Sequence, residues 1–389
     1  MKINQNFSIN YTYDILFTRE LFDPANPLLR DVIVKSDSEK AIKIAFVIDK
    51  GLNDCQPELI SKIINYVSKH ETLDMACQPL VVLGGEETKN STEEFVKTLS
   101  MVNDAKIDRH AFVIAIGGGA VLDMVGFAAA ISHRGIRHIR IPTTVLSQND
   151  SGVGVKNGIN YFGKKNFLGN FAPPFAVIND LTFLTTLDER DWRSGMSEAV
   201  KVALIKDKDF FLWLEQNAIA LSKRDLDAME KLVFDCAQLH TDHISNSNDP
   251  FEMGSSRPLD FGHWAAHKLE QLTKFEVKHG EAVAIGIALD IAYAMRAGFL
   301  DAQTTDRILK LLSDLGFNLF HPFLLDPTGT KVNPELIKGL EEFREHLGGE
   351  LTITMVETIG EKFDVHEMNI EWIEKAVFTL VEKKEMYAY

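Results

Sequence analysis

Two groups of side chains in this sequence have types and spacings that could do chemistry. The first is acid, base and imidazole: Glu198 and Lys201 are three apart, His263 and His267 four apart, and His279 opens a third segment before Gly280-Glu281. Residues three or four apart share a helix face. Such pairs are ordinarily a surface salt bridge or hydrogen-bonded structural histidines. One glutamate with two histidines and a vacancy, however, makes a zinc-type site that serves hydrolysis or polarises an alcohol. The second group is small, polar and basic. The apolar run Ala111 to Ile116 breaks into Gly117, Gly118 and Gly119, with Asp123 and the apolar Val125 to Ala130 behind them. This reads as a strand, a turn whose glycines can take positive φ and bring N–H groups to an anion, and an electropositive helix N-terminus. Beyond the apolar His138 to Pro142 come Thr143, Thr144, the polar segment Ser147 to Lys156 containing Asp150, and then Asn160, Lys164, Lys165 and Asn166. Amides, a carboxylate and three lysines among small residues suit a phosphorylated ligand. The triplet alone could equally be a tight turn packing a helix on a sheet, since it is not the G-x-G-x-x-G fingerprint.

Alternating strands and helices must position these groups. Lys43 to Ile48 reads as a strand ending at Asp49, Pro57 to His70 has helical spacing, and Pro79 to Leu83 is a second strand followed by Gly84-Gly-Glu-Glu-Thr-Lys89. A helix from about Thr92 to Val102 leads to the glycine-turn strand. That alternation predicts a parallel sheet, with ligands beyond the carboxyl ends of its strands, where Asp49, Glu86 and Lys89 fall. Before it, Pro24 to Pro27 marks a turn after a possible short edge strand. A last strand runs to Ile178, and after Asp180 the pattern turns helical, near 190–206, 208–218, 225–247, 262–273, 280–297, 304–315 and 335–346. Two stretches interrupt it: Gly316 to Asn333, rich in Pro and Gly, and Leu351 to Val356, which alternates like a strand. The division predicted is an α/β domain over 1–180 and an α-helical domain over 181–389.

The 389 residues suffice for two cores. No basic region followed by an apolar stretch opens the chain, and no apolar run has the roughly 18 residues of a spanning helix, so a soluble cytoplasmic protein with no membrane association is expected. Cys55, Cys77 and Cys236 are far apart, which indicates neither disulfides nor a cysteine metal site. A net charge of −15 argues against nucleic acid as partner. Against that background Arg134, Lys156, Lys164 and Lys165 suggest a local positive pocket for an anion.

Gly117-Gly-Gly-Ala-Val-Leu-Asp123, His133-Arg-Gly135, Ile141-Pro-Thr-Thr-Val-Leu-Ser-Gln148, Asp150-Ser-Gly-Val-Gly-Val-Lys156 and Gly163-Lys-Lys-Asn166 resemble, in order and spacing, the 3-dehydroquinate synthases and the wider sugar-phosphate cyclase superfamily. Ser197-Glu-Ala-Val-Lys201, Asp260-Phe-Gly-His263, His267 and His279-Gly-Glu-Ala-Val-Ala284 extend the resemblance over most of the chain. It implies a Rossmann-like NAD-binding domain and a mainly α-helical metal domain. NAD would lie against Asp49, Glu86, Lys89, Gly118, Gly119, Asp123, Thr143, Thr144 and Lys165. A divalent ion, zinc or cobalt, would be held by Glu198, His263 and His279. Lys156, Asn166 and His267 would bind substrate phosphate, with Arg134 reaching into a neighbouring subunit's site, hence a homodimer. Asp150 and Lys201 would handle alcohol protons, and Glu252 would support the metal side. The implied reaction is transient oxidation of a ring alcohol, loss of phosphate, re-reduction and an intramolecular aldol step, with NAD regenerated.

Departures from the synthase pattern bear on the substrate. Asp242 stands where a substrate-binding lysine is expected, Ser256 where an arginine grips the substrate carboxylate, with Arg257 displaced by one position, and Asp260 where an asparagine is expected. A buried carboxylate ligand without cationic partners is costly to desolvate. Asp260, Ala172-Pro-Pro174 and Arg344-Glu-His-Leu-Gly-Gly349 resemble the 2-epi-5-epi-valiolone synthase branch, while His267, kept where that branch is expected to have lost it, resembles a third group such as the cyclase-like proteins of ebo-type clusters. The expectation is a cyclase acting on a seven-carbon ketose phosphate. 3-Dehydroquinate synthase itself is the alternative, followed by a metal-dependent polyol dehydrogenase or a non-catalytic NAD-binding homologue.

Overall fold

A computed structural model describes residues 1–35, 41–247, 249, 251 and 257–384. The chain forms two compact units: Met1–Thr143 with Ser151–Thr186, and Thr144–Asp150 with Leu187 onward. The first is α/β and the second mainly helical.

The first unit is built on a parallel sheet of β1 (Asp14–Thr18), β2 (Ile42–Asp49), β3 (Leu73–Met75), β4 (Leu80–Val82), β5 (Phe112–Gly117), β6 (Arg137–Pro142) and, after a separate hairpin of β7 (Lys156–Tyr161) and β8 (Lys164–Phe171), β9 (Ala176–Asp180). The order is β1-β9-β6-β5-β2, with β3 beside Ile42 to Ile44 and β4 beside Val47 to Asp49. β2 and β5 read as continuous apolar runs because both sheet faces are covered. Ile44, Phe46, Ile48, Ile114 and Ile116 pack with Phe22, Ile63 and Tyr66 on one face. Ala45, Val47, Val113 and Ala115 pack with Val121 and Val125 of the Gly119–Ile131 helix on the other.

The polar stretch after Thr144 carries more regular structure than its composition announces. Ser147–Ser151 is a π-helical turn, and β7 and β8 pair antiparallel. The hairpin turns at Phe162 and Gly163, with φ 52° and 72°. Two successive positive φ values give a primed turn matching strand twist, and Gly163 tolerates the second without strain. Ile159 anchors the hairpin in the core beside Val121 and Val125.

In the second unit the His279–Arg296 helix is buried from Ala282 through Ala294, as expected of a helix apolar all round. The Met196–Lys206, Leu226–Asn246 and His263–Leu272 helices belong to the same unit. The alternating stretch after Leu351 is β10 (Ile353–Thr358), paired antiparallel with β11 (Glu361–Val365). A final helix, Ile370–Lys383, was not expected, although Ile373, Ala376, Val377 and Leu380 give it an apolar face at helical spacing.

Candidate cofactor and metal sites

In the first unit the strand ends converge. Asp49 closes β2 and caps the Lys50–Cys55 helix, its carboxylate accepting from Gly51 N at 2.7 Å. A Cβ on Gly84 would overlap that carboxylate, and one on Gly117 would come within 2.9 Å of Asp49 Cβ. Gly119 opens the next helix, where a Cβ would overlap Ser151 Oγ. The expectation of positive φ in the triplet is corrected here: none of Gly117, Gly118 and Gly119 has one. Gly117 and Gly119 answer to crowding rather than to turn conformation. Thr143 N donates to Gly117 O at 3.1 Å, tying the end of β6 to the glycine turn.

Lys89 is buried and donates to Asp123 Oδ2 at 2.8 Å and to Asn166 Oδ1. Burial pulls its pKa down, but Asp123 and Glu86 outweigh burial and hold it up, so the ammonium persists. Glu86 accepts from Asn160 Nδ2 at 2.7 Å. Lys156 and Lys165 are exposed, as is Arg134 at φ 62° just past the Gly119–Ile131 helix. The glycine turn beside the Asp49 carboxylate, with a helix N-terminus following it, fits a dinucleotide.

In the second unit, Glu198, His263 and His279 come together. Glu198 and Lys201 are not a surface pair: both are fully or nearly fully buried and ion-paired through Glu198 Oε2. Glu198 Oε1 lies 3.7 Å from His263 Nε2 and 3.5 Å from His279 Nε2. Ligand atoms about 2.0–2.1 Å from a tetrahedral zinc stand roughly 3.4 Å apart, so this spacing fits an ion. The Nδ1 atoms face outward from the trio. His263 Nδ1 lies 3.0 Å from Phe261 O and His279 Nδ1 lies 3.3 Å from Glu270 Oε1. Donation from each Nδ1–H leaves each Nε2 lone pair for a metal. Burial, then the Lys201 charge, lowers the His263 pKa and keeps its imidazole neutral. Glu270 escaped the sequence reading; its signal is its place two turns beyond His263 on the same helix.

Local devices hold these ligands. Gly262, at φ 80°, caps the helix that His263 begins, and Asp290 Oδ2 accepts from its N–H at 3.1 Å. Asp290 Oδ1 accepts from Trp264 Nε1 at 2.8 Å. His279 begins its own helix, where Glu281 accepts from Lys278 N at 3.0 Å and pairs with Arg190 at 2.6 Å. His267 lies one turn past His263, their ring centroids 5.3 Å apart. His267, Glu270 and His279 form an overlapping candidate trio.

The acid–base groups continue from the metal trio. Lys201 Nζ is 3.9 Å from Asp150 Oδ1, which is 2.9 Å from His240 Nδ1. Burial pushes the Asp150 pKa up, but Lys201 and His240 outweigh it and hold the carboxylate ionised. Despite burial, Glu198 and Asp150 raise the Lys201 pKa and keep it charged. His240 was also missed as a site residue; Cys236, one turn earlier, marks the buried face of its helix. Asp242 is exposed and accepts from Gln238 Nε2 at 2.8 Å, while Asp260 acts on Lys201 and His263 through its charge. Glu252 and Ser256 lie outside the described residues.

The model of the family described as 3-dehydroquinate synthase N-terminal matches residues 79–194, and its C-terminal counterpart matches 195–333. A 3-dehydroquinate synthase of Pyrobaculum islandicum is 35% identical over 303 residues, 77% of this chain and 84% of the relative. The 2-epi-5-epi-valiolone synthase of Streptomyces hygroscopicus subsp. jinggangensis, solved with NAD+ and Zn2+ bound, superposes with a TM-score of 0.86 at 28% identity, covering 98% of this chain and all of that one. A 2-deoxy-scyllo-inosose synthase, complexed with carbaglucose-6-phosphate, NAD+ and Co2+, shares the fold at a TM-score of 0.76 and 20% identity, covering 94% of this chain and 96% of that one. Among the described residues no helix is long and apolar enough to cross a membrane.

Proposed function

The chain belongs to the 3-dehydroquinate synthase family, and from that premise we propose an NAD- and divalent-metal-dependent sugar-phosphate cyclase that eliminates phosphate from a seven-carbon ketose phosphate and closes its ring. The carrying observation is the convergence of Glu198, His263 and His279 beside the ion-paired Lys201 and Asp150. When bound, NAD supplies a reversible hydride acceptor for a ring alcohol, and zinc or cobalt a Lewis acid for a substrate oxygen. In the first unit, the carboxylate of Asp49 accepts from ribose hydroxyls, and the peptide N–H groups at Gly118 and Gly119 face the pyrophosphate. In the second, Glu198, His263 and His279 hold the ion. Asp150, kept ionised by Lys201 and His240, takes the alcohol proton at its carboxylate, and Lys201 Nζ steadies the oxygen that loses it. Lys156, Asn166 and Arg134 bind phosphate, with Arg134 serving a second copy in a homodimer. Sedimentation as a monomer at working concentration would remove that last reading.

The substrate assignment rests on Asp242 and Asp260, carboxylates where the family resemblance implies a lysine and an asparagine. At these two positions a substrate carboxylate would meet a negative charge in place of a lysine and an amide, which disfavours its binding. A second reading, 3-dehydroquinate synthase itself, is favoured by the names of relatives such as the Pyrobaculum protein. Phosphate release by the purified protein with NAD and zinc or cobalt separates the two. Release from sedoheptulose phosphate alone is the expected outcome. Release from 3-deoxy-arabino-heptulosonate phosphate makes the chain a 3-dehydroquinate synthase and overturns the argument from Asp242 and Asp260. Release from neither removes the cyclase reading for both substrates.

A further inference from the structure

Beneath the segment that carries Lys156 lies a guanidinium to which the reading above gives no role. Arg140, in β6, is fully buried, and among the described residues no carboxylate pairs with it at hydrogen-bond distance. Its fork grips the chain instead. Nη1 donates to Gly152 O at 3.1 Å and to Gly154 O at 2.9 Å, and Nη2 donates to Lys156 O at 2.8 Å and to Asn157 Oδ1 at 2.7 Å. The Tyr13 hydroxyl donates to Val153 O at 2.7 Å. The carbonyls of residues 152, 153, 154 and 156 are therefore all held by side chains from outside the segment. Because trans peptide units point C=O and N–H in opposite directions, the N–H groups of Val153, Val155 and Asn157 are turned away from Arg140.

The clamp extends to the Gly119–Ile131 helix. A Cβ on Gly126 would overlap Asn157 Oδ1, so this mid-helix glycine makes room for the amide that Arg140 holds. Glycine inside a helix is unfavourable by propensity, and burial works against the Arg140 charge, with the more distant Asp123 acting in its favour. A loop that needed only to be filled underneath would require neither.

We propose that Arg140 is a positioning residue for anion binding: its fork fixes the Gly152–Asn157 segment so that Lys156 is presented to a phosphate. This inference rests on the reading of Lys156 as a phosphate ligand.

The test is titration calorimetry of inorganic phosphate into the full-length, NAD-loaded protein, with NAD affinity and circular dichroism measured in parallel. Arg140→Lys keeps the charge but loses the fork, and is expected to weaken phosphate binding about tenfold while NAD affinity stays within about twofold. Tyr13→Phe removes one outer hydrogen bond and is expected to weaken phosphate binding about two- to threefold. Lys156→Ala should abolish it. If Lys156→Ala weakens phosphate and Arg140→Lys does not, the positioning role is overturned and the Lys156 reading stands. If the wild type binds no phosphate, or Lys156→Ala changes nothing, the Lys156 reading falls and takes the Arg140 role with it. Should Arg140→Lys fail to fold, Tyr13→Phe decides, and unchanged phosphate affinity there overturns the proposal.

Discussion

At Glu198 two demands meet in one carboxylate: Oε2 holds the buried Lys201 and Oε1 faces the two imidazoles. The quality of the metal site then depends on what fixes those imidazoles. Glu270→Ala should lower zinc affinity about 10- to 100-fold, read by competition with a chromophoric chelator, and Glu270→Gln should restore part of it. Unchanged affinity in the alanine variant would show that Glu270 does not orient His279. Asp290 is a different case. Burial pushes its carboxyl up to about 7 although two N–H groups donate to it, so the native state keeps a proton that the unfolded chain has lost above about pH 4. The native state then binds more protons than the unfolded one, and stability from this group falls as pH rises from about 4 to about 7, by at most about 1.4 kcal/mol per pH unit. Asp290→Asn is expected to flatten the pH dependence of unfolding free energy in that window, measured by urea denaturation of the metal-free protein. A variant with the slope of the wild type would refute the assignment.

On the scale of elements, the metal site depends on how closely two helices approach. Gly286 lies inside the His279–Arg296 helix, and a Cβ there would overlap the carbonyl of Gly262, the residue capping the His263 helix. Neither glycine is a ligand, yet their contact sets the separation of His263 from His279. Gly286→Ala should therefore weaken zinc binding at least about tenfold even though alanine is the better helix former, with a cost from overpacking of about 1–3 kcal/mol. Isothermal titration with zinc and a thermal melt of the same preparation check this. A more stable protein with native zinc affinity would mean that the helices have slack.

For the whole molecule, the candidate NAD ligands and the metal ligands lie in separate compact units, apart from Thr144 at the boundary. Removing the metal with a chelator is accordingly expected to abolish phosphate release while leaving NAD binding within about twofold, measured by titration calorimetry. Loss of both together would show that the first unit needs the metal to hold its cofactor.

The sequence alone determined the parallel α/β sheet and the helical second half, because apolar periodicity is a local signal, and the family resemblance singled out Glu198, His263 and His279 as candidate metal ligands. It also placed Asp49, Glu86, Lys89 and the glycine turn at strand ends, where a parallel sheet puts its ligands. Tertiary structure decided what depends on partners far along the chain. Glu198 and Lys201 have the spacing of a surface pair, and only folding shows them sealed beside Asp150 and His240. Glu270 and Asp290 read as an ordinary helical acid and a polar break in an apolar helix until His279, Gly262 and Trp264 arrive against them. Gly117 and Gly119 are needed because Asp49 and Ser151 crowd them, a constraint on space rather than on φ. Arg140 has no local signature at all, since its partners are backbone carbonyls, which every residue carries and no sequence displays.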